Sequence, residues 1–167
     1  MAEHYDIAIV GSGPSGLSAG ARAAQKGINH ILLETSDHAS DTIYKFQKKK
    51  FVMSTPDVMP LRSDVSFGAG VREDILETWD QEIDSQKINI SYKSEVTAIS
   101  GEKDNFTLTL KNGQVITANH VVLSIGMQGN IRKLDVDGDD WEGVQYQLDD
   151  PEEYEDEQII VVGAGDA

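Results

Sequence analysis

A glycine turn set between an apolar run and an alanine-rich stretch restricts this chain more than any other feature. Gly11-Ser12-Gly13-Pro14-Ser15-Gly16 follows the run Tyr5–Val10 and precedes Leu17–Lys26, which Gly27 closes. The run has the β-branched, non-alternating character of a central parallel strand buried on both faces. The stretch after the turn is rich in Ala and ends on a glycine cap, so it reads as a helix. Asn29–Glu34 is a second strand that ends in an acid. A strand–turn–helix–strand unit with connections this short implies a parallel pair.

The glycine spacing carries chemistry. Gly11 permits the tight turn, Gly13 lets backbone approach a pyrophosphate, and Gly16 lets the helix pack closely on the strand. Amides at the helix start, together with its dipole, favour phosphate charge. Glu34 lies 23 residues after Gly11, near the roughly 20 expected of a ribose-binding acid. Its carboxylate is expected to accept from both hydroxyls of an adenosine ribose. A glycine turn serving packing alone, with Glu34 solvated, is the plain alternative.

Further along, 35–69 reads as loop with one short helix. Asp74–Gln86 is an amphipathic helix through Ile75, Leu76, Trp79 and Ile83, and Ile88–Tyr92 is a strand. Glu95–Ser100, Asn105–Lys111 and Gln114–Ala118 are short strands, the middle one alternating and the last two joined by the hairpin signal Asn112-Gly113. His120–Ile125 is another apolar strand. Residues 127–157 are polar and acidic, with Trp141 expected to anchor them. Gln158–Gly163 is a further apolar strand running into a second glycine turn, Gly163-Ala164-Gly165. A strand and turn without their helix cannot bury both faces. The expectation is therefore an N-terminal piece of a longer enzyme, with this strand disordered or paired with another chain.

Composition removes several function classes. The 29 acidic residues against 14 basic ones leave a net charge of −15, which repels nucleic acid and anionic lipid. With no cysteine, a disulfide, a thiolate metal site and a cysteine nucleophile are excluded within these residues. His4, His30, His38 and His120 lack metal-ligand spacing, and no metal site is expected. No apolar run approaches the roughly 20 residues of a membrane span, so the cytoplasm is the default compartment.

Ile9-Val10-Gly11-Ser12-Gly13-Pro14-Ser15-Gly16-Leu17 resembles the FAD-binding start of the two-dinucleotide-binding-domain flavoproteins. Val121-Val122-Leu123-Ser124-Ile125-Gly126 is similar to their second flavin motif, the antiparallel strands before it to their β-meander, and Val161-Val162-Gly163-Ala164-Gly165-Asp166-Ala167 to the opening of their NAD(P)H-binding domain. The nearest likeness is to thioredoxin reductase and the thioredoxin-reductase-like ferredoxin–NADP reductases. The resemblance implies an α/β, Rossmann-like three-layer fold: a parallel sheet, helices on one face and a three-stranded antiparallel meander on the other. It implies an FAD-binding domain over 1–126, an acidic crossover over 127–157 and the start of an NAD(P)H-binding domain over 158–167.

By the same resemblance Gly11, Gly13, Pro14, Ser15 and Gly16 would line the FAD pyrophosphate. Glu34 would hold the ribose with Thr35 and Ser36 nearby, Val96 would offer backbone bonds to adenine, and Gly126 would pass the flavin side. Gly163 and Gly165 would serve NAD(P)H. The implied activity is electron transfer from NAD(P)H through FAD to an unidentified acceptor, with no catalytic side chain needed and a homodimer left open. Residues 1–167 alone are expected to bind FAD weakly and to turn over little.

The chain departs from the family in having no redox cysteine pair after the second strand, which sets the glutathione-reductase branch aside. The flavin monooxygenase signature is not recognisable. Lys45, Lys48, Lys49 and Lys50 would place positive charge near a reduced flavin, or simply line a solvated loop. The rival functions are a non-catalytic nucleotide-binding sensor and an NAD-dependent dehydrogenase domain without flavin.

Overall fold

The computed structural model describes residues 3–54, 62–127, 132–148 and 150–163. Strand β1 (Glu3–Val10) lies between two parallel partners, β2 (His30–Leu33) and β8 (Val115–Leu123), with Ala8 opposite Ile31 on one side and Val121 on the other. Having a partner on each side and a layer on each face explains its apolar run. Helix α1 (Pro14–Gln25) links β1 to β2. It starts three residues earlier than its alanine-rich part suggests, because proline is pre-shaped for the first helical position. Gly27, at φ +64°, ends it as a left-handed cap.

The remaining elements are α2 (Asp41–Tyr44), β3 (Phe51–Val52), β4 (Gly70–Val71), α3 (Arg72–Ser85), β5 (Ile90–Ser91), β6 (Val96–Glu102) and β7 (Asn105–Leu110). A six-stranded sheet runs in the order β5-β2-β1-β8-β7-β6, and β3 pairs with β4 in a small separate ribbon. The two strands read separately at Gln114–Ala118 and His120–Ile125 are one. β8 pairs antiparallel with β7 through Val115–Ala118 and parallel with β1 through Ile116–Leu123. Polar Asn119 does not end it: its side chain donates to Asp6 (3.2 Å) and its carbonyl accepts from the Asp104 amide (2.9 Å).

Alternation along β1 and β2 sorts the core into two clusters. Ile9 and Leu32 face the helices and pack with Leu17 and Ala21 of α1 and Ile75, Trp79 and Ile83 of α3. Ala8, Ile31 and Leu33 face the other way and pack with Leu108, Leu110, Ile116 and Ala118 of the meander. The result is the expected three-layer α/β fold. Trp79 is core, and its indole N–H donates to the Ser66 carbonyl at 2.9 Å.

Residues 132–163 are irregular where described, apart from one 3₁₀ turn at Pro151–Tyr154. Trp141 does not anchor them. It is 68% exposed, its ring lying against Gly143. The apolar stretch Ile159–Val162 joins no ladder, and Ile160 is 92% exposed. No helix among the described residues is long and apolar enough to cross a membrane.

Candidate functional site: the glycine crevice

The site lies at the C-terminal ends of β1, β2 and β8, where the three strands release the chain. The Gly11 amide donates to the Leu33 carbonyl (2.9 Å) and the Ser124 amide to the Val10 carbonyl (2.8 Å). These bonds pin the turn after β1 against the residues that leave β8.

Each motif glycine answers a different constraint. Gly11 sits at φ +96°, and a Cβ there would stand 2.5 Å from the Ser124 carbonyl oxygen. A Cβ on Gly16 would stand 1.9 Å from the Gly11 carbonyl oxygen. Both positions are closed by backbone, and only glycine fits. Gly13 is the exception: at φ −65° it has ordinary backbone, and a Cβ would meet nothing within 4 Å. Among the described residues, the space above α1 at this position is left open.

That space is favourable to anions. Pro14 occupies the first helical position, no side chain caps the helix, and no acid stands in its first turn. Among the described residues nothing accepts from the amides of Ser15 and Gly16, which stand at the positive end of the helix dipole.

Glu34 follows β2 directly and is 7% exposed. Its carboxylate reaches back to the turn rather than out. Oε2 accepts from the Ser12 amide (2.9 Å) and from the Ser12 hydroxyl, and Oε1 accepts from the Ser36 amide (2.9 Å). Ser12 in turn holds Ser40: its carbonyl accepts from the Ser40 amide (3.2 Å) and hydroxyl (3.1 Å). Ser40 has left-handed backbone, φ 59°, and leads into α2. Sequence reasoning missed both serines. The available signal was a hydroxyl at the second motif position.

The rim is charged. The Ser36 hydroxyl donates to Asp41 (3.0 Å), Lys45 pairs with Asp41 (2.7 Å), and His38 lies between Asp37 and Asp41 while stacking on Tyr44 at 3.6 Å. Burial lifts the Asp41 carboxyl, but its bonds from Lys45, Ser36 and His38 outweigh that and hold it below its ordinary value. Thr35 is exposed at the lip.

The segment before β6 closes the third side. The Glu34 amide donates to the Ser91 carbonyl (2.9 Å), the Ser94 amide to the Glu34 carbonyl (2.7 Å), and the Lys93 amide to the Ser36 carbonyl (2.9 Å). Val96 begins edge strand β6 two residues beyond Ser94, opposite Leu110. Gly126, at φ +64° with nothing within 4 Å of a Cβ, lies two residues past Ser124. Gly11 to Gly16 and Glu34 to Ser36 are thus gathered directly, and Val96 and Gly126 flank them along the chain. Gly163 has φ +104° and no bond to this group among the described residues; Gly165 lies outside them.

Three of the four lysines are ion-paired, Lys45 with Asp41, Lys48 with Asp150 and Lys49 with Glu152 (2.8 Å), while the Lys50 ammonium lies 4.7 Å from the Phe46 ring centroid. His120 is exposed on β8. A cleft of about 460 Å³ adjoins this rim at Asp37 and His38 and runs between α3 and β5. Asp37, Asp80 and Asp84 line it, so it repels a phosphate. Burial and the neighbouring Asp84 push the Asp80 carboxyl up.

Comparison with known proteins agrees with this fold. The chain is similar to the ferredoxin–NADP reductases of Leuconostoc mesenteroides (24% identical, 100% of this chain, 48% of that protein) and Picrophilus torridus (28% identical, 99% and 48%). It spans about half the length of the curated relatives it matches. Among solved structures, the bacillithiol disulfide reductase of Staphylococcus aureus superposes with a TM-score of 0.76 at 21% identity, over 91% of this chain and 47% of that one. A flavin-containing monooxygenase from Stenotrophomonas maltophilia superposes at 0.61 and 16%, over 73% and 38%. These likenesses show the fold. The family model for pyridine nucleotide-disulphide oxidoreductases matches residues 8–167, nearly the whole chain, and the chain belongs to that family.

Proposed function

We propose that this chain holds the FAD of an NAD(P)H-dependent oxidoreductase of the thioredoxin-reductase-like kind. The carrying observation is the pairing of an open, uncapped helix start at Gly13 with a buried carboxylate at Glu34 on the adjacent strand. The residues present fit the adenosine diphosphate half of FAD. Amides of Ser15 and Gly16 face the diphosphate, Gly13 leaves it room, Glu34 faces the ribose, and Thr35, Ser36 and Val96 border the adenine. Gly126 borders the flavin side. FAD held here would supply the hydride and electron chemistry that links NAD(P)H to a further acceptor. The chain's own residues bind and orient; none acts as nucleophile.

The names of the relatives support NADPH as donor and a ferredoxin as acceptor. In this reading 1–126 form the FAD domain, 127–157 the crossover, and 158–167 the opening of the NAD(P)H domain with Gly163 and Gly165 in its turn. The cytoplasm is the compartment this reading supposes.

Equilibrium dialysis of the purified protein against FAD tests the binding. Flavin should accumulate on the protein side with a shifted visible spectrum, and equal distribution across the membrane would sink the reading. NADPH-driven reduction of a dye acceptor by the protein together with its NAD(P)H domain separates an enzyme from a sensor that merely holds the nucleotide.

A further inference from the structure

Ser12 is fully buried, and each of its polar groups is engaged within the protein. Its amide and hydroxyl both donate to Glu34 Oε2, and its carbonyl accepts from the Ser40 amide and hydroxyl. A carboxylate offers about four acceptor positions, two on each oxygen. Ser12 takes both on Oε2, and the Ser36 amide takes one on Oε1. One position on Oε1 remains.

We propose that Ser12 is a positioning residue that fixes the Glu34 carboxylate so that it accepts from a single ribose hydroxyl. It departs from the expectation that Glu34 takes both, and it rests on the nucleotide-binding reading above. The Ser12 and Ser36 amides hold one oxygen each, and the Ser12 hydroxyl fills the second acceptor position on Oε2. Ser40, bonded to Ser12 from left-handed backbone, ties the loop carrying Ser36 to the same turn.

The test is calorimetric titration of the chain with ADP, 2′-deoxy-ADP and 3′-deoxy-ADP, for wild type and Ser12→Ala. Wild type is expected to disfavour one deoxy analogue by roughly tenfold, the worth of one hydrogen bond to a charged group, and to accept the other nearly as well as ADP. In Ser12→Ala that preference should shrink to within about threefold, because the position freed on Oε2 can accept the other hydroxyl. A general loss of structure weakens all three ligands alike and leaves their ratios unchanged. Should Ser12→Ala fail to fold, Ser12→Cys keeps the volume with a weaker donor and is read by the same ratio. A folded variant with the wild-type preference overturns the positioning role. Equal wild-type affinity for all three nucleotides overturns the Glu34–ribose contact while the diphosphate cradle stands, and no ADP binding by wild type overturns the nucleotide reading with it.

Discussion

The three motif glycines look equivalent as letters and are not equivalent as atoms. At Gly16 a methyl group would be driven into the Gly11 carbonyl 1.9 Å away, whereas at Gly13 it would enter open space. Gly16→Ala should therefore destabilise the fold by about 1–3 kcal/mol, as overpacking does. Gly13→Ala should change stability by less than about 0.5 kcal/mol. Urea unfolding of the two variants checks the contrast, and equal losses would mean that Gly13 is a packing residue. Glu34→Gln is expected to cost about 1–3 kcal/mol, because an amide group must then oppose the donors of Ser12 or Ser36. Its unfolding midpoint should fall accordingly. The gathering of Gly11, Gly13, Gly16 and Glu34 at one crevice was legible in the sequence because it follows from spacing along one strand–turn–helix–strand unit. Ser12 and Ser40 were not, since they meet across 28 residues through a left-handed backbone that no local pattern announces.

Among the elements, the lysine loop and the acidic turn explain each other. Lys48 and Lys49 pair with Asp150 and Glu152, about a hundred residues on, at the 3₁₀ turn Pro151–Tyr154. The Lys48 ammonium and the Glu152 amide hold the Asp150 carboxyl below its ordinary value. Its folded-state value is depressed, so the stabilisation is present above the ordinary carboxylate range and is lost as pH falls through that lower value. Reversing both lysines (Lys48→Glu with Lys49→Glu) should speed hydrogen exchange across 150–154, and adding Asp150→Lys with Glu152→Lys should restore slow exchange. No rescue would mean that charge does not seat the turn.

Asp80 has the opposite sign. Burial and Asp84 raise its folded-state value, so its ionisation opposes folding at neutral pH and the penalty fades on acidification. Asp80→Asn should gain about 0.5 kcal/mol or less at pH 7, screened by solvent, and nothing below the carboxylate range. Thermal midpoints at the two pH values decide it. Long periodic elements such as α3 were readable from Ile75, Trp79 and Ile83. The unity of β8 was not, because Asn119 interrupts the apolar pattern while its hydrogen bonds keep the strand going.

At the scale of the whole molecule, the three layers follow from alternation along two short strands. Ile9 and Leu32 commit one face to the helices, while Ala8, Ile31 and Leu33 commit the other to the meander. That arrangement was legible because both faces of β1 are apolar, which demands a layer on each side. Where the acidic segment lies was not, since its position depends on charges distant in sequence. The layers leave the strand ends clear, and the crevice forms there. If Gly13 is bare for a ligand's sake, a methyl group there must weaken binding. FAD titrated into wild type and Gly13→Ala, followed by flavin fluorescence, decides it. Wild type should bind, and an equally stable Gly13→Ala should bind at least roughly tenfold more weakly. Equal affinity in the two proteins would mean that the open space at Gly13 does not serve the ligand.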